Sequence, residues 1–293
     1  MRQFEHNSPL VTIYMPTYNR PELLKRAVES VLNQDYKNIE LIIVDDRSTD
    51  HTPDYLMQIS QEDSRVKYFI NKENSGACVS RNRAIFAAKG EFITGLDDDD
   101  YFLPNHISSL VHFWMKNKDD NIALYTNVYV QKKKKKVKIK KLNTCKYKDL
   151  LCGNWIGNQL FTRTAYLQNI NGFDESLPAW QDLECWYRLL KYYDSEARLV
   201  SNYSYLVDIS HPHERITSNK IDSIFEAYKY FCNKHNLNEF EREVLKVQFL
   251  YYTGDFPSFK SVFKSALLLP NLHNFKGLIK MQLRPIWNKI RSS

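Results

Sequence analysis

The sequence predicts an α/β fold in which a doubly wound sheet carries a ligand site along one edge. Three observations support this. Four short apolar, β-branched runs alternate with helix-like segments between residues 10 and 96. A polar cluster follows each run. The last cluster is four consecutive aspartates, Asp97, Asp98, Asp99 and Asp100, set directly behind the apolar stretch EFITGL.

The elements follow in order. LVTIYMP (10–16) is a β-branched run closed by Pro16 and predicts a buried strand. PELLKRAVESVLNQ (21–34) opens on proline and repeats apolar residues at helical spacing. IELIIVDD (39–46) predicts a second buried strand, and the segment after it a helix capped by Ser48 or Asp50. VKYFIN (66–71) is a third strand, SGACVSRNRAIFAAKG (75–90) a helix closed by Gly90, and EFITGL (91–96) a fourth strand. In such sheets ligands sit beyond the carboxyl ends of the strands. Thr17, Tyr18 and Asn19, then Asp45 and Asp46, then Asn74 and Gly76, then the aspartates all fall there.

After Asn105 the pattern changes. HISSLVHFWMKN predicts a helix and NIALYTNVYVQ a strand. A lysine-rich block (132–141) predicts a hairpin or a loop, with a strand allowed by the alternation in KVKIKK. NWIGNQLFTR predicts a further strand, a helix begins near Gln181, and ARLVSNYSYLVDIS predicts one or two strands. From Ile221 onward only helices are expected, so the chain divides into a sheet domain over 1–217 and a basic helical extension over 218–293.

Composition narrows the function. The chain has 293 residues, 43% of them hydrophobic and 14% aromatic, enough for a sizeable core. No apolar run approaches the roughly 20 residues that span a bilayer, and MRQFEHNSPL lacks the apolar centre of a signal peptide. The five cysteines are scattered without CxxC spacing, which argues against a disulfide framework or a zinc site and for a reducing cytoplasm. The net charge of +7 is segregated: eight lysines lie in 132–141, and seven Lys and Arg with no Asp or Glu in 257–293. Segregated basic segments suit an anionic surface such as phospholipid, nucleic acid or an acidic partner.

Four adjacent carboxylates repel one another and do not all ionise unless positive charge lies among them. A solvated turn with a capping aspartate is the plain alternative, but a cap needs one Asp, not four. A divalent cation among them would supply that charge. Mg²⁺ or Mn²⁺, hard ions that take oxygen ligands, fit.

The motifs MPTYNRP (15–21), LIIVDDRSTD (41–50), NSGACVSRN (74–82), LDDDD (96–100) and GFDESLPAWQDLECWYRL (172–189) together resemble the family-2 glycosyltransferases, in that family's order. The resemblance implies the GT-A fold, with a doubly wound mixed sheet, and transfer from a nucleotide sugar. The processive motif QxxRW is missing, which implies transfer of a single sugar. Pro16, Thr17, Tyr18, Asn19 and Arg20 match the nucleoside-binding loop, where Tyr18 is either an aromatic wall for the base or a packing residue. Asp46 matches the residue that accepts the uracil N–H, which implies a UDP-sugar carrying glucose, galactose or an N-acetylhexosamine. Asn74 and Gly76 let the backbone approach the nucleotide. Arg81 pairs either with phosphate or with Asp97. Asp99 matches the metal ligand of the family's DXD motif, and Asp97 or Asp98 the ribose contact; Asp100 is expected to be a cap or turn residue.

Asp182 matches the catalytic base, with Gln181 where the family has Glu, and Trp180 and Gln181 fall on the acceptor side. A carboxylate that takes the hydroxyl proton makes the acceptor a competent nucleophile, and one-step inversion follows. His211 resembles a metal or diphosphate ligand; His213 and Arg215 stand near it in DISHPHERIT. The implied acceptor is a polyprenyl-diphosphate-linked saccharide in O-antigen, capsule or exopolysaccharide assembly. The basic, apolar segment 257–293 suits peripheral binding to the inner face of the cell membrane or a helical appendage. Two other functions use similar residues. A nucleotidyltransferase or phosphohydrolase also needs metal and carboxylates, but does not need Asp182. A nucleic-acid-binding module is the other, but the lysine block has no interleaved aromatics, so no nucleic-acid partner is expected.

Overall fold

The structure, a computed structural model, describes residues 8–117, 122–211 and 221–253 and position 267, without the side chains of 250–253. Alternation is regular at first: β1 (Val11–Thr17), α1 (Pro21–Leu32), β2 (Ile39–Asp45), α2 (Thr52–Glu62), β3 (Val66–Ile70), α3 (Ala77–Ala87) and β4 (Phe92–Gly95). Then come β5 (Tyr101–Phe102), α4 (His106–Lys116), β6 (Ala123–Lys132), β7 (Lys135–Ile139), β8 (Thr144–Lys146), a single 3₁₀ turn (Asp149–Leu151), β9 (Phe161–Arg163), α5 (Thr164–Asn169), α6 (Gln181–Tyr192) and β10 (Glu196–Asp208). Helices α7 (Ile221–Lys234) and α8 (Glu239–Thr253) follow.

One mixed sheet runs β3-β2-β1-β4-β9-β6-β10-β5, with β7 paired to β6 and β8 to β10. Its first four strands are parallel, Ile13 standing opposite Leu41 and Thr94. β6 and β10 are parallel to each other, while β9 pairs antiparallel with both β4 and β6. Strand side chains alternate between faces. Ile13, Met15, Leu41 and Ile43 pack on one face with α1, α2 and α4. Tyr14, Ile42 and Val44 pack on the other with α3, α6, α7 and α8. Burial on both faces explains why these strands read as unbroken apolar runs. Each such side chain contributes about 1.5–3 kcal/mol on leaving water.

Several local expectations are corrected. Helix α3 ends at Ala87, so Gly90 does not close it. A Cβ at Gly90 would lie 2.6 Å from the Thr12 backbone nitrogen, and the glycine instead lets the chain pass close to β1. Ser48 does not cap α2, because its hydroxyl bonds Asp45 at 2.5 Å; Asp50 Oδ1 accepts the Thr52 N–H at 3.0 Å. The lysine block is a β6–β7 hairpin, with Lys132 opposite Lys135. ARLVSNYSYLVDIS is one strand, β10, irregular between Val200 and Tyr205. Of NWIGNQLFTR only Phe161–Arg163 is strand; the rest is loop.

Helices α7 and α8 are not a loose appendage where they are described. Phe231, Cys232, Val244 and Leu245 are buried in the same cluster as Trp186 and Leu189 of α6. Glu184, fully buried on α6, ties the two parts together. It accepts from Arg188 Nε at 3.0 Å and pairs with Lys234, the last residue of α7, at 2.8 Å and with His235 just after it at 3.1 Å. Burial alone would raise its carboxyl, but the His235 hydrogen bond and the Arg188 and Lys234 charges outweigh burial and hold it well below the usual range. A depressed folded value means that the stabilisation is present above the unfolded value, about 4.3, and fades as pH falls below it. Glu184→Ala, which leaves Arg188 and Lys234 facing a void, is expected to cost about 3–5 kcal/mol at pH 7. Glu184→Gln is expected to flatten the loss of stability below about pH 4. Urea titrations of the three proteins between pH 3 and 7 check both.

Candidate active site

One side of the cleft is built by the loops after β1, β2 and β3. Asn19 takes a left-handed φ of 51°, its N–H donates to Ser48 Oγ at 2.8 Å, and its Oδ1 accepts the Thr49 N–H at 2.8 Å. These bonds clamp the first two loops together. Asp45 is fully buried and structural, holding Ser48. Asp46 lines the cleft floor and accepts from Asn71 Nδ2 (2.8 Å) and from the Ser75 (2.9 Å) and Gly76 (2.7 Å) N–H groups. Gly76 precedes α3 with φ +89°, a conformation that disfavours any side chain. The Tyr18 ring is 42% exposed on the cleft wall, so it is not a packing residue of the core.

The aspartates occupy the turn after β4. Gly95 introduces them, and a Cβ there would lie 2.0 Å from Gln159 Oε1, so only glycine lets the turn sit against that side chain. Each carboxylate is partnered, and Arg20 and Asn158 each serve two of them. Asp97 pairs with Arg81 at 3.0 Å and accepts from Asn158 Nδ2 (2.9 Å) and Gln159 Nε2 (3.1 Å). Asp98 accepts from Thr17 Oγ1 at 2.8 Å and pairs with Arg20 at 3.2 Å. Burial pushes the Asp98 carboxyl up to about 7; Arg20 opposes this and neighbouring Asp99 adds to it. Asp99 lies 3.4 Å from Arg20 and 3.4 Å from His211 Nε2.

Asp100 closes the turn, its N–H donating to the Asp97 carbonyl at 3.0 Å, and does more than the turn residue expected: its buried carboxylate accepts from Tyr205 Oη (2.9 Å), Asn158 Nδ2 (3.0 Å) and the Asp208 N–H (2.9 Å). One carboxylate oxygen each from Asp97, Asp99 and Asp100 can be chosen so that all lie within 4.8 Å of one another.

Opposite stands the amino end of α6. Trp180 precedes it in the left-handed region at φ 59°, is 6% exposed, and its buried indole N–H has no partner among the described residues. A bulky residue in that conformation is strained, as is common at ligand sites. Gln181 Oε1 accepts from Arg81 Nη1 at 3.2 Å, so one arginine bridges the aspartate turn and α6. Asp182 Oδ2 accepts from Asn154 Nδ2 at 2.8 Å. Burial raises the Asp182 carboxyl, while the Leu183 N–H and the Arg81 charge hold it back. A carboxylate balanced in this way suits a proton acceptor. Lys141, the last lysine of its block, turns inward instead of outward and donates to the Ile156 carbonyl; burial pulls its amine down to about 7.

One cleft of about 1000 Å³ is lined by Pro16, Thr17, Tyr18, Asn19, Arg20, Asp46, Asn74, Gly76, Arg81, Asp97, Asp98, Asp99, Trp180, Gln181 and Asp182. His211 joins through Asp99. His213, Arg215 and nearly all of 257–293 lie outside the described residues. Sequence reasoning missed Asn154, Asn158 and Gln248, which also line the cleft. The only signal for the first two was the amide-rich stretch NWIGNQ; Gln248 carried none.

Comparison with known proteins agrees with this geometry. A profile of the family described as Glycosyl transferase family 2 matches residues 12–175. An Escherichia coli K12 protein named for colanic acid biosynthesis, the glycosyl transferase WcaA, is 35% identical over 93% of this chain and 97% of its own length. An Escherichia coli UDP-Glc:alpha-D-GlcNAc-diphosphoundecaprenol beta-1,3-glucosyltransferase, WfaP, is 42% identical over 42% of this chain and 47% of its own. The crystal structure of S. aureus TarS residues 1–349 with UDP-GlcNAc superposes with a TM-score of 0.66 at 18% identity, covering 93% of this chain and 81% of that one. With a mixed sheet that carries its acidic turn at the carboxyl edge, this chain is a glycosyltransferase of family 2 with the GT-A fold.

Proposed function

We propose that the chain transfers one sugar from a UDP-sugar to a hydroxyl of a polyprenyl-diphosphate-linked saccharide, with inversion, in the assembly of a bacterial surface polysaccharide. The observation that carries this reading is that the aspartate turn and Asp182 face one cleft, with Arg81 hydrogen-bonded toward both sides of it. The names of WcaA and WfaP support the polysaccharide and lipid-linked acceptor classes. The UDP-GlcNAc held by TarS supports the donor class.

The donor half works through charge and shape. The Tyr18 ring offers a face to the base, and an Asp46 oxygen that keeps a free lone pair accepts the uracil N–H. Asp97 and Asp98 are the candidates for the ribose hydroxyls. The donor set fits a hard divalent cation: one oxygen each from Asp97, Asp99 and Asp100 can be chosen so that all lie within 4.8 Å of one another. Asp99, with Asp97 and His211 beside it, would hold Mn²⁺ or Mg²⁺. Such an ion would supply positive charge against the departing diphosphate.

The acceptor half supplies the base. Asn154 fixes the Asp182 carboxylate, and Trp180 forms the adjoining wall. Asp182 takes the proton as the acceptor oxygen bonds to the anomeric carbon. The bond from that carbon to the diphosphate oxygen breaks on the opposite face, its electron pair leaving with UDP. A single displacement inverts the centre.

Among the described residues no helix is long and apolar enough to cross a membrane. The basic segment 257–293 is the proposed contact with an anionic leaflet, each basic group adding about 1 kcal/mol.

Five outcomes test the reading. With a panel of UDP-, GDP- and dTDP-sugars, UDP release and a glycosylated acceptor are expected together. Asp182→Asn is expected to lower kcat by about 10²–10⁴-fold while UDP affinity, measured by calorimetry, holds; near-normal turnover would refute the base. Asp99→Asn is expected to abolish manganese-dependent UDP binding without lowering the melting point. Asp100→Ala, which strands three buried donors, is expected to lower that point by about 5 °C. Removal of 257–293 is expected to release the protein from anionic vesicles, and unchanged sedimentation would count against membrane contact.

A further inference from the structure

The family profile ends at residue 175, yet a side chain from α8 reaches the cleft. Gln248 is 7% exposed and lines the cavity. Its Nε2 donates to the carbonyls of Leu150 at 2.7 Å and Leu151 at 3.0 Å. Two carbonyl partners settle which end of the amide is which: the NH₂ must face them, and Oε1 must point away. No donor among the described residues reaches Oε1, and the oxygen is not sealed inside the protein. The result is an oriented hydrogen-bond acceptor at the cleft wall, held by a rigid anchor.

Its location names its ligand. The Asp149–Leu151 turn leads in three residues from Leu151 to Asn154, whose amide holds Asp182. Gln248 therefore belongs to the base side of the cleft, on elements separate from the Thr17, Asp46 and Gly76 loops. A diphosphate offers only acceptor oxygens and gains nothing from another one. A sugar hydroxyl, or the N–H of an acetamido group, donates.

We propose that Gln248 is a specificity-determining residue for the acceptor, its Oε1 accepting a hydrogen bond from a hydroxyl or acetamido N–H of the saccharide presented to Asp182. This rests on the glycosyl transfer proposed above. An acceptor lacking that donor would leave Oε1 desolvated and unpaired, which is how a polar site rejects it.

Two variants separate recognition from anchoring. Gln248→Met removes both functions. Gln248→Lys keeps N–H donors for the Leu150 and Leu151 carbonyls and removes only the acceptor oxygen. The probes are short-chain polyprenyl-diphosphate mono- and disaccharides, with a UDP-sugar and manganese. Both variants are expected to raise KM for the lipid-linked saccharide about tenfold, with KM for the UDP-sugar unchanged. A Lys variant with wild-type acceptor KM would reduce Gln248 to an anchor and overturn the inference, as would donor and acceptor constants that rise together. Should Gln248→Met fail to fold, Gln248→Lys decides alone. A wild-type chain that transfers to no member of the panel overturns the proposed function itself, and the inference with it.

Discussion

Four consecutive carboxylates at the end of one strand are the constraint around which this fold is arranged. At about 4 Å, and with an effective dielectric near 20, each like-charged pair costs about 4 kcal/mol. The structure answers with partners drawn from distant parts of the chain, two of them shared: Arg20 between Asp98 and Asp99, and Asn158 between Asp97 and Asp100. Arg81 comes from α3, Thr17 from the end of β1, Arg20 from the loop after it, Asn158 and Gln159 from the loop before β9, and Tyr205 from β10. The strand order follows from this need. β9, β6 and β10 lie beyond β4 and bring the amides and the tyrosine to the turn. Asp97, Asp99 and Asp100 still bring carboxylate oxygens within 4.8 Å of one another, a cluster that would suit a cation.

The second wall depends on a different device. Asp182 sits in the first turn of a helix whose preceding residue, Trp180, is held left-handed with an indole N–H that has no partner among the described residues. Such an arrangement persists only if the helix is rooted elsewhere. Glu184, two residues on, supplies the root through Arg188, Lys234 and His235. The helices after residue 220 thus act on the site by fixing the register of α6 as well as by adding core.

The donor half was legible because its signals are local. Doubly buried strands print as β-branched runs, and the ligand rule assigns meaning to whatever polar residues come next. The family resemblance added Asp182 and singled out Asp99. What stayed hidden was non-local. β5 has two residues and β8 three, too short for any periodicity, and both exist only because β10 offers them a partner. Asp100 looks like no more than a turn residue until Tyr205, 105 positions later, is placed beside it. Asn154 and Asn158 are uncharged, and inside NWIGNQLFTR they read as strand. Lys141 is one lysine in a block of eight, and only the Ile156 carbonyl distinguishes it.

That divide has a physical source. Every nucleotide diphosphate presents the same charges, so the surface that meets it must combine acidic groups, their counter-charges and close backbone approach, all of which short motifs can encode. An acceptor saccharide is neutral where it reacts and differs from its rivals only in where hydroxyls point. Discrimination then rests on a few oriented amides, each effective only if its other end is anchored. Asn154 spends its Oδ1 on the Gly157 N–H and its Nδ2 on Asp182; Gln248 spends its Nε2 on two carbonyls. The Asn154 anchor is local, but that of Gln248 is backbone 98 and 97 positions away in sequence. Such amides can be exchanged without disturbing a single charge in the donor half, so one acidic turn can serve many different acceptors.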